Sequence, residues 1–370
     1  MYTRLPLNLF DSHDATLSKT GIRYQTMAAY SRHHRLNRRL YAALIGLLVT
    51  CAPVSAWACA ACGCSLSSDA ANGYSVAPGW RVNFQYDYIN QNQLRNGAGT
   101  ASPTQVVNKP TTGKLENQTL NQYLTLGVNY NPNANWGINL QIPYIIRSHS
   151  TYGNPPQPFG PADVNSSNLS SSNSSSVGDV KIIGSYQGFL PMHNLGVQLG
   201  LKLPTGRYGN DVVFSSGPNA GSPLDTSLQP GTGSTDLIVG AYYYQALNQD
   251  WDAFVNGSFQ AAVREKLDQP GNNYRPGNLA SLSLGVRYEA NPQWVPQLQL
   301  NLSHKSSDQG ARADTLDTAG TVAYLSPGIT VSVVNGLQIY GFVQIPVYSR
   351  LDGYQLFPRW TATVGANHKF

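Results

Sequence analysis

The sequence predicts an all-β chain that closes into a transmembrane antiparallel β-barrel of about twelve strands, with short periplasmic turns and long extracellular loops. Three observations predict it. Segments of 9–12 residues alternate apolar and polar side chains, the period of strands with one face against lipid. The connections between them alternate strictly between short and long. The chain also ends on Phe370, at the tip of a strand with Trp360, Ala362, Val364, Ala366 and His368 on one face, which looks like the assembly signal of bacterial outer-membrane barrels.

The strands follow in order. The first, 79–89, sets Trp80, Val82, Phe84, Tyr86 and Tyr88 against Arg81, Asn83, Gln85 and Asp87. The next two, 120–130 and 136–147, flank a tight turn at 131–135 rich in Asn and Pro. Then come 179–187 and 195–203, the latter with Leu195, Val197, Leu199, Leu201 and Leu203 opposite Gly196, Gln198, Gly200 and Lys202. Strands at 235–245, 251–261, 278–289 and 295–304 keep the pattern. The tenth, 318–333, contains Ser326-Pro327-Gly328, read as a bulge. Asn335-Gly336 is a hairpin signal leading into 337–347, and 359–370 completes twelve. Long connections fall at 90–119, 148–178, 204–234, 262–277, 305–317 and 348–358. The stretch 162–177 is nearly all Ser and Asn, so it reads as a mobile loop with too little apolar area to order itself. Trp80, Tyr88, Trp136, Tyr144, Tyr243, Trp251 and Trp360 sit near strand ends, at the height of interfacial aromatic girdles.

Composition agrees. Charged residues are 12%, about half the usual share, and mean hydropathy is −0.27, so a bundle of apolar membrane helices is excluded. The formal net charge of +5 belongs to the first 58 residues, where seven basic residues face two acidic ones; from Cys59 onward 17 of each cancel. Nucleic acid is therefore not an expected partner. Residues 1–58 read as a leader starting at Met27: Arg35, Arg38 and Arg39 precede a short apolar core at 40–49, and Ala56-Trp57-Ala58 fits a cleavage site. Residues 59–78 read as a periplasmic segment and 79–370 as the barrel, placed in the bacterial outer membrane. Outer-membrane lipid and the barrel assembly machinery are then expected partners.

Chemistry is sparse. Cys59, Cys62 and Cys64 lie within six residues. They admit three readings: a disulfide with one thiol left over, a soft-metal or redox contact in the periplasm, or lipidation, although no good lipobox precedes Cys51 or Cys59. Covalent haem attachment would need His at position 63, which is Gly63. An outer-wall Ser–His–Asn hydrolase of the phospholipase type has its nearest candidate in His149-Ser150, without the sequence context that such enzymes carry. No phosphate-binding Gly loop occurs, no resident cofactor is expected, and the chain is read as a non-enzyme.

Alternation points Asp179, Lys202 and Asp236 inward on three consecutive strands, beside the loop 204–234. They are candidates for a selectivity ring at the outer mouth or for a structural tie at the loop base. Around them, Gly178-Asp179-Val180-Lys181, Leu201-Lys202-Leu203-Pro204-Thr205-Gly206 and Pro230-Gly231-Thr232-Gly233-Ser234-Thr235-Asp236 resemble the outer-membrane family named for the meta-pathway of phenol degradation. The resemblance covers about 178–245. It implies a barrel that passes a small, often aromatic or apolar, solute. The runner-up expectation is a structural or sensor barrel whose cysteine cluster meets a periplasmic metal or redox partner.

Overall fold

The computed structural model describes residues 77–107, 115–153, 164 and 166–370. The expected leader and the three cysteines lie outside them. The described strands are β1 (Gly79–Gly97), β2 (Gly99–Thr100), β3 (Leu115–Asn131), β4 (Trp136–Tyr152), β5 (Leu169–Val177), β6 (Val180–Tyr186) and β7 (Leu195–Leu203). There follow β8 (Ser234–Ala246), β9 (Trp251–Glu265), β10 (Leu279–Tyr288), β11 (Trp294–Lys305), β12 (Gly320–Val334) and β13 (Leu337–Lys369). All belong to one antiparallel sheet, and β13 pairs back onto β1, with Arg81 opposite Lys369 and Tyr88 opposite Ala362. The sheet is therefore a closed barrel with no free edge.

Eleven elements make the ring; β2 and β5 lie off it. The last element serves as two staves. β13 runs for 33 residues, pairs with β12 up to Leu351 and with β1 from there to Lys369. The chain reverses around Asp352 and Gly353, where Gly353 adopts φ 60°. Counted as staves, the barrel has twelve, and both of its chain ends lie at the side of the short turns.

The facing follows the alternation. On β7, Val197, Leu199 and Leu201 are exposed outward while Gly196, Gly200 and Lys202 are buried inside. Exposed apolar residues continue around the wall, among them Phe84, Ile138, Ile182, Val239, Phe259, Leu284, Leu298, Ile345 and Val364. Aromatic pairs bracket this belt: Trp80–Tyr130 and Trp136–Tyr186 at one rim, Tyr88–Trp360 at the other, with ring centroids 4.5, 4.7 and 5.5 Å apart. Trp80 and Tyr88 are eight residues apart on a tilted strand, a height of about 21 Å, close to the apolar band of a membrane barrel. A surface that is apolar all round, between aromatic rims and over a polar interior, is stable only in a bilayer. The chain spans a membrane through its strands.

Inside, four glycines are covered by an aromatic ring from a neighbouring stave: Gly196 by Tyr242, Gly285 by Phe254, Gly328 by Phe342 and Gly365 by Tyr340. A Cβ at any of them would overlap the ring. The missing side chain lets the ring lie flat on the inner wall, so the lumen presents aromatic faces between amides and hydroxyls.

Three expectations need correction. The Ser/Asn stretch is not a loop throughout: Leu169–Val177 is β5, laddered to β4 from Tyr152–Leu169 to Tyr144–Val177. Above the bilayer a strand has no lipid face, so backbone pairing and the bonds of Ser170 and Ser172 to the 204–233 connection hold it. The same reason hides the outer lengths of β1, β3 and β4 and extends both halves of β13 through 348–358 to the reversal. There is also no bulge at Ser326-Pro327-Gly328. β12 stays in register with β11 across them, and only the pairs to β13 lapse, at a proline that has no N–H to give.

Candidate functional site

The three motifs that open or close strands in the middle of the sequence converge at one point. β5 and β6 are two lengths of the same stave, both paired to β4, but the register slips by one residue between Tyr144–Val177 and Gln141–Lys181. Gly178 and Asp179 form the resulting bulge. A bulge re-aims a side chain, and here it reverses the phase: even residues face inward on β5, odd ones on β6. Asp179 is thereby aimed at the top of β7. A second register slip, between Thr235 and Asp236 on the β8–β9 ladder, lies next to the third motif.

Lys202 Nζ lies 3.0 Å from Asp179 Oδ2 and 3.2 Å from Asp236 Oδ2, with all three side chains at most 8% exposed. Lys202 also donates to Thr232 Oγ1 and, at 3.1 Å, to Ser234 Oγ. Asp179 accepts from the backbone N–H groups of Gly206 (3.1 Å) and Thr232 (3.0 Å), one from each end of the 204–233 connection. Asp236 accepts from Ser234 Oγ at 2.6 Å and Gln260 Nε2 at 2.7 Å. Gly206 and Gly231 touch backbone to backbone, with no room for a Cβ on either. The structure thus brings together all three charged residues singled out above, and adds Thr232, Ser234 and Gln260, whose uncharged side chains gave no signal of their own.

The connection that leaves this knot packs against the inner wall. Arg147, which faces inward from β4, donates to the carbonyl oxygen of Leu228, to Asn121 Oδ1 at 2.5 Å and to Tyr123 Oη at 3.2 Å. Val212, Phe214, Leu224 and Leu228 form a small apolar core within the segment, and Gln229 ties it with bonds to Val212 and Leu224. Phe214 sits against His149, 6.0 Å between centroids, and Ser216 bridges to Ser171 on β5. The segment is an inward-folded plug with its own core. Further round the outer mouth, Asp308 closes the neighbouring loops by accepting from Tyr274 Oη and the Gly277 N–H and pairing with Lys305.

His149 and Ser150 point to opposite faces of β4. His149 is buried and bonded to Thr119 Oγ1 at 2.8 Å, whereas Ser150 takes a bond from Asn117. They form no dyad. Phe370 donates its N–H to the Trp80 carbonyl at the periplasmic rim and leaves its ring exposed. Cys59, Cys62 and Cys64 lie outside the described residues.

The family described as "Putative MetA-pathway of phenol degradation" matches residues 101–356. Among solved structures, the COG4313 outer membrane channel from Pseudomonas putida F1 superposes with a TM-score of 0.57 at 12% identity, covering 80% of this chain and 97% of that one. At that identity the likeness concerns the fold. The toluene transporter TbuX of Ralstonia pickettii (TM-score 0.40, 10% identity, 80% and 90% coverage) and the autotransporter translocator domain of NalP from Neisseria meningitidis (0.41, 10%, 82% and 92%) match too loosely to carry an argument. The comparison with curated proteins finds no match. Closed ring, lipid-facing belt and channel-like fold together place this barrel in the bacterial outer membrane.

Proposed function

Since the chain belongs to the family named for the MetA pathway of phenol degradation, we propose that it is a narrow, selective outer-membrane channel for a small aromatic solute that carries a polar group. One observation supports this most: the lumen is polar yet almost shut, with Gln299, Ser326, Asp87, Gln355 and Thr363 at most 1% exposed and the 204–233 plug folded against its wall. A twelve-stave barrel lies between the side-chain-filled eight-stranded barrels and the open sixteen-stranded pores. Aromatic faces laid over glycines suit stacking, and the amides and hydroxyls between them suit a polar substituent.

In this reading Lys202, Asp179 and Asp236 hold the plug and do not filter charge directly. Each is buried and bonded to several neighbours, so none is offered to a passing ion. They set selectivity through the plug they seat. Liposome swelling with the refolded protein tests the channel: phenol-sized polar aromatics should enter faster than disaccharides. Swelling no faster than empty liposomes for every solute would refute it.

A further inference from the structure

The periplasmic end of the lumen holds a second polar site, away from the plug. Arg81 of β1, Asn129 of β3, Asn139 of β4, Ser185 of β6, Gln198 of β7 and Tyr242 of β8 help to enclose a cavity of about 40 Å³. That is room for roughly three water-sized groups, the size of a carboxylate.

The chemistry of the lining is one-sided. Among the described residues, Arg81 is the one charged side chain that lines the cavity. Two amide oxygens of the site are already engaged: Asn129 Oδ1 accepts from Asn139 Nδ2 at 2.6 Å, and Gln187 Oε1 accepts from Tyr242 Oη at 2.5 Å. Among the described residues the side chains of Gln198 and Ser185 make no hydrogen bond, and the Asn129 amide N–H groups donate to nothing. The cavity therefore offers mainly donors around one guanidinium, which suits a flat, acceptor-only anion. One group breaks the pattern. Asn139 Oδ1 is a buried acceptor without a partner. Buried polar groups are normally satisfied, so this oxygen calls for a donor placed beside the anion.

We infer that this cavity binds a small hydroxylated carboxylic acid: the carboxylate against Arg81 and the amide donors of Asn129 and Gln198, the hydroxyl donating to Asn139 Oδ1. The cavity is formed beside the turns at 132–135 and 187–194. The remainder of a larger molecule can extend into the periplasmic mouth. The inference names the solute class of the channel proposed above and rests on that reading for its meaning, but not for its test.

Calorimetric titration of the refolded full chain in detergent, with salicylate, benzoate, phenol and benzylamine as probes, decides it. Salicylate should bind most tightly, benzoate less, and phenol and benzylamine far more weakly. Arg81→Gln should weaken salicylate and benzoate about tenfold, the loss of one charge-assisted hydrogen bond. Asn139→Leu, which removes the acceptor that only the hydroxyl uses and also the donor that holds Asn129, should weaken salicylate more than benzoate and close the gap between them. If Arg81→Gln fails to fold, Gln198→Leu, which breaks no internal bond, should still weaken both acids. Benzylamine or phenol binding as well as salicylate, or both acids indifferent to these variants, would overturn the inference. Salicylate binding without solute flux would keep the site and sink the channel; flux without acid binding would do the reverse.

Discussion

The two ends of the lumen use polar residues in opposite ways. At the outer end every charge in the knot is answered from within: Lys202 by Asp179, Asp236, Thr232 and Ser234, and Asp179 by both ends of the plug segment. At the periplasmic end, Gln198 and Ser185 have no side-chain partner among the described residues, and Asn139 Oδ1 is unmet. A fully satisfied buried network specifies one conformation, while an incomplete one is open to a ligand. The outer end therefore reads as the part that holds shape and the inner end as the part that recognises.

The outer knot should respond most to substitution. Lys202→Met strands two buried carboxylates beside each other, and removing one partner of a buried ion network costs about 3–5 kcal/mol. Its urea midpoint in micelles should fall, and adding Asp179→Asn and Asp236→Asn should recover much of the loss. No fall would mean that the knot does not hold the plug. The lipid face comes next. Leu199→Arg should cost roughly 2–4 kcal/mol near the bilayer midplane, against little for Gln198→Arg on the inner face of the same strand. Equal costs would invert the facing, since one residue of slip exchanges the faces. Arg147→Met should then loosen the plug by about 1–3 kcal/mol, the cost of leaving the Leu228 carbonyl without its donor. Faster proteolysis within 204–233 in an otherwise intact barrel would report it.

The smallest effect is a pH dependence at the outer rim. Burial pushes the Asp317 carboxyl up to about 6, helped by the neighbouring Asp314, although it accepts the Tyr354 N–H at 2.9 Å. The folded state thus holds this proton more tightly than the unfolded chain. Its stabilising contribution is complete below the ordinary carboxylate range and is lost as pH rises through about 6. Once intrinsic rates are corrected for, exchange at the Tyr354 amide should show more frequent opening at pH 7.5 than at pH 5. Asp317→Asn should remove the difference.

How much of this was legible beforehand follows from what each region touches. The belt was readable because lipid imposes period 2 on every strand that crosses it, and so the twelve staves and the outward face of β7 followed from Leu195 to Leu203. The outer lengths were not. β5 is almost entirely Ser and Asn, and backbone ladders there leave no mark on composition. The knot was half readable: alternation aimed Asp179, Lys202 and Asp236 inward, but the bulge at Gly178–Asp179 and the ties to Thr232 and Gly206 depend on the fold bringing 178, 206 and 232 together. The periplasmic cavity was invisible, because its Asn, Gln and Ser residues come from strands scattered between 81 and 242 and carry no motif.

A plug seated by Lys202 would hold a conducting barrel nearly shut. Planar-bilayer recording of wild type beside Lys202→Ala tests it most directly. Small unitary currents are expected from the wild type and severalfold larger currents from the variant, with its reversal potential in a salt gradient shifted toward cations by the two unpaired acids. Silence from both proteins in bilayers where their insertion is verified, or identical conductance and reversal potential, would contradict it.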